Sequence, residues 1–275
     1  MKILVVTPCF NSESLIRKTL DAVLAQAVDG ISVTYVVRDG GSTDSTVRIL
    51  EEYRPRFLKA GVKYSFVSER DTGMYDALAK GFLDHSEERY DWYAYINAGD
   101  FFAPRSFSNL DSSTRVDDHW VTGINMIYNE AGDIIGARVP GPYYRGLISR
   151  GFFGTILPCI QQESTFWRHE AHALIDFAKL RTLRLAGDYY LWHCFASKYD
   201  LKVLSVWLSG FSVHGGQLSE VRRDEYYREL RSLAVSRFRF LYIPAAVLVG
   251  ILWSVPNSLK LRWFPELVRP FQSKI

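Results

Sequence analysis

Cysteine is scarce in this chain: three residues in 275, Cys9, Cys159 and Cys194. They are too few and too far apart for a disulfide framework, and none has metal or redox spacing. An odd, sparse set fits a reducing compartment, with each thiol acting as a small buried apolar group. An excess of one charge is also lacking. The net charge is +3, and no basic–aromatic array tracks a phosphate backbone, so nucleic acid is not an expected partner. No Gly-x-Gly-x-x-Gly follows the first strand, which argues against a Rossmann oxidoreductase. Thr7 to Asn11 holds no Lys or Arg, which argues against a nucleotidyltransferase cradling a triphosphate. The N-terminus starts directly on a strand, so no signal peptide is expected. Phe240 to Pro256 is an apolar run of about 17 residues, short of the roughly 20 that a spanning helix needs.

What is present is an ordinary globular balance, 48% hydrophobic and 23% charged, with 15% aromatics. That composition supports one large α/β domain, alone or with an appendage. Strands are expected over 2–7, 31–38, 62–67 and 91–97. Helices are expected from Asn11 or Ser12 to about Gln26, from Ser42-Thr43-Asp44 onward, and from Thr72 to about Leu83. Strand–helix units of this length imply parallel strands with right-handed crossovers. Ligands of such open sheets bind at the carboxyl ends of the strands.

After residue 100 the pattern changes. A β-ribbon is expected around Asn129-Glu130-Ala131-Gly132, an extended segment over Gln161–Trp167 and a helix from Gly187-Asp188 to Lys198. A strand over 200–213 and a charged helix over 218–239 follow. From Arg222 to Ile275 there are ten Lys/Arg and four Asp/Glu, a net of +6, which leaves −3 for the rest. Arg237, Arg239, Lys260 and Arg262 flank the apolar run, with Trp253 and Trp263 near its end. A docked helix pair and an interfacial membrane anchor through 237–263 both fit.

Asp100, closing Asn97-Ala98-Gly99-Asp100, is the most informative residue. A carboxylate at a buried strand's end packs poorly, but it suits a divalent cation held against a diphosphate. Two further strand ends carry similar chemistry. In Asp39-Gly40-Gly41-Ser42-Thr43-Asp44, Asp39 can accept from a nucleobase or a ribose, and the glycines let the backbone approach a ligand. A plain strand–turn–helix joint would look similar over 42–46 but would not need Asp39. In Glu69-Arg70-Asp71-Thr72-Gly73-Met74-Tyr75-Asp76, Arg70 can neutralise phosphate and Asp71 can reach a sugar. Asp76 reads equally well as a structural acid favoured by the helix dipole. Thr7-Pro8-Cys9-Phe10-Asn11 is either a cradle for a base and its ribose or a tight turn with an Asn cap.

Taken in chain order, from Thr7–Asn11 through Asp39–Asp44 and Glu69–Asp76 to Asn97–Asp100, these four segments resemble the family 2 glycosyltransferases, in particular bacterial enzymes of exopolysaccharide and colanic-acid type. The specific match covers residues 1–104, and looser matches continue to about 216. The resemblance implies an α/β GT-A fold with a mostly parallel, Rossmann-like central sheet flanked by helices. It implies a catalytic domain over 1–216, split into a nucleotide-sugar half (1–104) and an acceptor half (105–216). A C-terminal helical segment, 217–275, follows. It places Thr7, Pro8, Asn11, Asp39, Arg70, Asp71, Asn97, Ala98 and Gly99 around the donor and Asp100 and His214 on the metal, Mn²⁺ or Mg²⁺. Asn97 stands where many members have the first Asp of an Asp-x-Asp motif. Ala186-Gly187-Asp188 resembles the Glu-Asp motif that supplies the catalytic base, with Asp188 alone retained; Asp188 is also a plausible helix cap.

The implied activity is inverting hexosyl transfer from a nucleotide-diphosphate sugar, with UDP favoured, to a glycan or lipid-linked acceptor in polysaccharide biosynthesis. The implied location is the cytoplasm or the inner face of the cytoplasmic membrane. A non-catalytic member that binds a nucleotide sugar without transferring it is the alternative, and the missing first Asp is its motive.

Overall fold

The computed structural model describes residues 1–129, 133–212, 222–234, 238–263 and 268–269. β1 (Lys2–Cys9), β2 (Ser32–Asp39), β3 (Lys63–Ser68) and β4 (Trp92–Tyr95) alternate with α1 (Ile16–Leu24), α2 (Thr46–Lys59) and α3 (Met74–Leu83), close to the expected bounds. β1 pairs in parallel with both β2 and β4, and β2 with β3. The four carboxyl ends therefore lie on one edge, and Cys9, Asp39 and Ser68 stand in register across three strands.

β1 and β2 are apolar almost throughout because both faces of the sheet are covered. Ile3 and Val5 pack with Ile16, Leu20, Ile49 and Phe57 of α1 and α2. Leu4 and Val6 pack on the opposite face with Tyr75, Leu78 and Phe82 of α3. This is the two-residue alternation of a strand. Each large apolar side chain so buried stabilises the fold by roughly 1.5–3 kcal/mol.

The second half departs from simple alternation. β5 (Phe101–Phe102) and α4 (Ser106–Ser113) precede β6 (Trp120–Thr122), β7 (Asn125–Tyr128) and β8 (Ile134–Arg138). β7 and β8 form the expected antiparallel ribbon; its turn, 130–132, lies outside the described residues. α5 (Arg145–Ser149) follows a Pro/Gly/Tyr-rich stretch over 140–144. Gln161–Trp167 is not uniformly extended. Gln162–Ser164 is a 3₁₀ turn, and only β9 (Thr165–Trp167) is a strand. β9 inserts antiparallel between β4 and β6, so the sheet is mostly rather than wholly parallel. α6 (His169–His172), α7 (Phe177–Arg181) and α8 (Gly187–Ala196) follow.

The strand expected over 200–213 is two. β10 (Lys202–Leu204) joins the main sheet, whereas β11 (Ser209–Ser212) pairs with β5 and β7 in a second one. With β12 (Val268–Arg269) at the edge, the described residues form a main sheet of eight strands and a second of four. The charged helix is α9 (Arg223–Leu233), and the apolar run becomes α10 (Ile243–Ser254), followed by α11 (Asn257–Trp263). Pro244 sits in the first turn of α10, where its missing N–H costs nothing.

α10 is docked on the domain. Ala246, Val249 and Trp253 are buried in the same core as Leu4, Val6 and Phe82. Two flanking cations turn inward. The Lys260 ammonium donates to the carbonyls of Val139 at 3.0 Å and Trp253 at 2.8 Å. Arg239 donates to the Gly151 carbonyl at 3.2 Å and lies over the Phe152 ring. No helix among the described residues is long and apolar enough to cross a membrane.

α3 lies so close to β1 that a Cβ on Gly81 would stand 2.5 Å from Val6 Cγ1. Gly81→Ala should therefore overpack this joint and destabilise the fold by about 1–3 kcal/mol in a urea titration. An unchanged midpoint would show that α3 can back away.

Candidate functional site

The edge is organised around Asp39. Its carboxylate, almost wholly buried, accepts from the N–H of Gly41 at 3.2 Å and of Ser42 at 2.9 Å, from the Ser68 hydroxyl at 2.5 Å, and from the Ser42 hydroxyl. The Cys9 thiol reaches it at 3.6 Å, and burial pushes that thiol well above its usual range. Gly41 has φ +82°, a left-handed conformation that favours glycine. Asp39 thus shapes the loop after β2 with its own hydrogen bonds.

Neither Asn11 nor Ser12 caps α1 with its side chain; the helix starts at Ile16 behind Leu15. Asn11 instead adopts φ 45° and ties the loops together. Its N–H donates to Ser42 Oγ at 2.7 Å, and its Oδ1 accepts from Thr43 N–H at 2.9 Å. Thr7 and Pro8 are buried in the sheet end, and Thr7 Oγ1 accepts from the Tyr35 hydroxyl at 3.0 Å. Any contact they make with a ligand would therefore come from the backbone.

Asp71 stands against the Gly40–Gly41 turn: a Cβ on Gly40 would meet its Oδ2 at 2.8 Å. Burial raises its carboxyl above the usual range. Arg70 is exposed beside Gly41. Asp76 belongs to the scaffold. It pairs with Arg181 at 2.6 Å and Lys80 at 3.2 Å and accepts from Thr72 N–H at 3.2 Å.

The end of β4 is held by Thr19 and Gln162. Thr19 Oγ1 accepts from Gly99 N–H at 2.9 Å and donates to the Asp100 carbonyl at 2.7 Å. Asn97 Nδ2 donates to Gln162 Oε1 at 3.2 Å, and Gln162 Nε2 donates to the Tyr95 carbonyl at 2.5 Å. Gly99 has φ +104°, and Ala98 forms a bridge with Asp100. Asp100 is buried, and its Oδ1 accepts from Ser212 N–H at 3.1 Å.

Asn97 Oδ1 is buried without a hydrogen-bond partner, an oxygen acceptor of the kind hard cations take. Among the described residues no three His, Cys, Asp or Glu side chains are close enough to hold a metal; His214 lies outside them. Asp100 and Asn97 therefore fit a cation that draws its remaining ligands from substrate phosphate and water.

Asp188 sits in the first turn of α8, half-buried, and lines a small pocket of about 10 Å³ with Cys159, Tyr189, Trp192 and Tyr226. Burial pushes its carboxyl up to about 6, against hydrogen bonds from the Tyr189 and Asp188 backbone; the nearby Glu229 charge raises it further. It does not act as the N-cap, which is Ala186. The loop before it is tied to the donor edge by Arg184, which donates to the Thr72 carbonyl.

Glu163 was not singled out from the sequence. It is 3% exposed, and burial together with Asp100 raises its carboxyl well above the usual range. Gln161 donates to it and also chelates the Met126 backbone. Its sequence signal is its place in Gln161–Trp167, a stretch that resembles the family's acceptor-side strand but gives Glu163 itself no role.

No curated protein matches the chain. Among solved structures, S. aureus TarS 1–349 in complex with UDP-GlcNAc aligns over 97% of this chain and 71% of that one, at 14% identity and TM-score 0.59. The same fragment in complex with UDP aligns over 96% and 78%, at 16% identity and TM-score 0.55. Against another TarS structure the match covers 88% of this chain but 45% of that one, at 15% identity and TM-score 0.54. At such identities the likeness is one of fold, an α/β architecture around a central sheet. The sequence profile of Glycosyl transferase family 2 matches residues 4–141, half of the chain, and so the protein belongs to glycosyl transferase family 2 and has its GT-A fold.

Proposed function

We propose that the protein is an inverting glycosyltransferase of hexosyl type. It would move a sugar from a nucleotide-diphosphate sugar to a hydroxyl of a glycan or lipid-linked acceptor, with Asp188 as the base. The observation that carries the reading is Asp188 itself. It is a carboxyl raised to about 6, lining a small pocket and directly after a loop tied by Arg184 to the Thr72 carbonyl beside Asp71. A general base works best with a pKa near the operating pH, and Asp188 meets that condition.

On this reading residues 1–104 bind the donor and 105–216 face the acceptor. The loops at Thr7–Asn11, Asp39 and Arg70–Asp71 hold the nucleoside, and Asn97–Gly99 lie along the diphosphate. UDP is the favoured nucleotide; the complexes of TarS with UDP and UDP-GlcNAc support that choice. Asp100 and the Asn97 carbonyl, with His214 from outside the described residues, would hold Mn²⁺ or Mg²⁺. Such a cation supplies charge neutralisation to the leaving diphosphate. Arg70, exposed at the rim, adds positive charge beside it. Asp188 takes the proton of the acceptor hydroxyl as that oxygen attacks the anomeric carbon from the face opposite the leaving group. The bond to the diphosphate oxygen breaks, and one displacement inverts the configuration.

A membrane-borne acceptor suits the C-terminal segment, 217–275. Ile243, Val247, Leu248 and Ile251, on the side of α10 away from Ala246, Val249 and Trp253, are all more than half exposed, as are Phe240 and Leu241 in the 3₁₀ turn before it. An apolar face of this kind can rest in the headgroup region of the inner leaflet.

Asp188→Asn should lower kcat by about 10²–10⁴-fold with UDP affinity unchanged, since the amide cannot take a proton. Equal turnover would remove Asp188 from the base role, and UDP binding without any transfer would favour a non-catalytic binding protein. The base works only when deprotonated. Turnover of the unmodified chain should therefore fall roughly tenfold per pH unit below pH 6; a flat profile down to pH 5 would contradict the assignment. Val247→Glu with Ile251→Glu should abolish co-sedimentation with vesicles containing anionic lipid. Equal sedimentation of both proteins would exclude the α10 face as the contact.

A further inference from the structure

We propose that Glu229, on α9, is a positioning residue for the reaction: its carboxylate gathers three consecutive backbone N–H groups of the loop that presents Asp188 and fixes where that side chain stands. This rests on the assignment of Asp188 as the base. Glu229 Oε1 accepts from Arg184 N–H at 2.8 Å, and Oε2 accepts from Leu185 N–H at 2.7 Å and Ala186 N–H at 2.6 Å. α8 begins at the next residue, Gly187, and Asp188 is its second. Hydrogen bonds to an ionised acceptor are the short, strong kind, and three of them on one carboxylate leave the loop little freedom.

The other side of the loop is closed as well. The Tyr75 hydroxyl donates to the Leu185 carbonyl at 3.1 Å. A Cβ on Gly187 would stand 2.4 Å from the Tyr75 ring. Arg184 also donates to the Thr72 carbonyl, next to Asp71. The loop is thus held between α3, which belongs to the donor edge, and α9, which comes from the C-terminal segment.

α9 is also held by packing, with Tyr226, Leu233 and Ala234 partly buried against the domain. Leu230 is its one buried residue, packed with Ala186 and Tyr189 and against Gly151, where a Cβ would meet Leu230 Cδ2 at 2.7 Å. Glu229 and Leu230 act on the same short stretch of chain, one by hydrogen bonds and one by packing. Tyr226, one turn earlier, lines the pocket beside Asp188. The helix that reads in sequence as a solvated, charged appendage therefore forms the back wall of the candidate base.

Glu229 has a second effect, through its charge. The groups whose charge couples to Asp188 are Glu229 and Tyr226 from α9, Tyr75 from α3, Tyr95 from β4, and Cys159 and Glu163 from the segment before β9. Removing the negative charge of Glu229 lowers the proton affinity of Asp188. The acid limb of the pH profile then moves to lower pH. A purely structural contact would not move it.

The test uses the full chain and the UDP-sugar it turns over fastest, with UDP affinity measured by calorimetry. Glu229→Ala should lower kcat roughly 10- to 100-fold while UDP affinity stays within about twofold, the cost of a displaced catalytic group. The double variant Asp188→Asn/Glu229→Ala should be no slower than Asp188→Asn alone, because residues acting as a unit are not additive. Glu229→Gln keeps an accepting oxygen and should shift the acid limb downward. Unchanged kcat in Glu229→Ala, or a fully additive double variant, overturns the proposal while leaving Asp188 in place. Should Glu229→Ala fail to fold, an unmoved acid limb in Glu229→Gln overturns it. Full turnover by Asp188→Asn fails the base assignment first, and this proposal with it.

Discussion

The parallel register of β4, β1, β2 and β3 is the constraint on which the rest depends. It delivers four carboxyl ends to one edge, and Asp39 then locks that edge. Its carboxylate collects the amides of Gly41 and Ser42 and the hydroxyls of Ser42 and Ser68, so one buried charge joins the ends of β2 and β3. Asn11 adds the end of β1 through Ser42 and Thr43. A buried carboxylate without these partners would cost several kcal/mol, so the loops must hold this shape for the fold to stand. The same bonds that satisfy Asp39 hold the turns of this edge in one shape, where the proposed nucleotide would sit.

The second cluster is separate in sequence but joined to the first by hydrogen bonds. Thr19 and Gln162 fix the end of β4, and Arg184 carries the connection from Thr72 to the loop before Asp188. Glu163 feels the charges of Asp100 and Asp188, and burial raises the carboxyls of Glu163 and Asp188 above their usual range.

Much of the donor edge was legible in the sequence. Apolar runs ending in Asp39-Gly40-Gly41 and Asn97-Ala98-Gly99-Asp100 give the strand ends, and the spacing of strands and helices gives the parallel order. The bounds, direction and sheet of β9 and β11 were not legible, although both fall inside the extended segments expected over 161–167 and 200–213. A strand of three or four residues is too short to display a period, and its direction is set by partners far away in sequence. Glu163 and Glu229 were hidden for a different reason. A Glu in a polar run, or on a charged helix, looks solvated, and only the fold shows one buried and the other bonded to three amides. Arg239 and Lys260 misled in the same way: as flanks of an apolar run they resemble membrane-facing cations, yet both cap carbonyls inside the domain.

The central claim is that the strand ends bind a nucleoside diphosphate with a divalent cation at Asp100. It is tested most directly by calorimetric titration with UDP, GDP and dTDP, each with and without Mn²⁺, on the unmodified chain and on Asp100→Ala. The account predicts that UDP binds, that Mn²⁺ tightens it, and that Asp100→Ala removes the metal effect. Absence of binding by every nucleotide, with the chain folded, would contradict it.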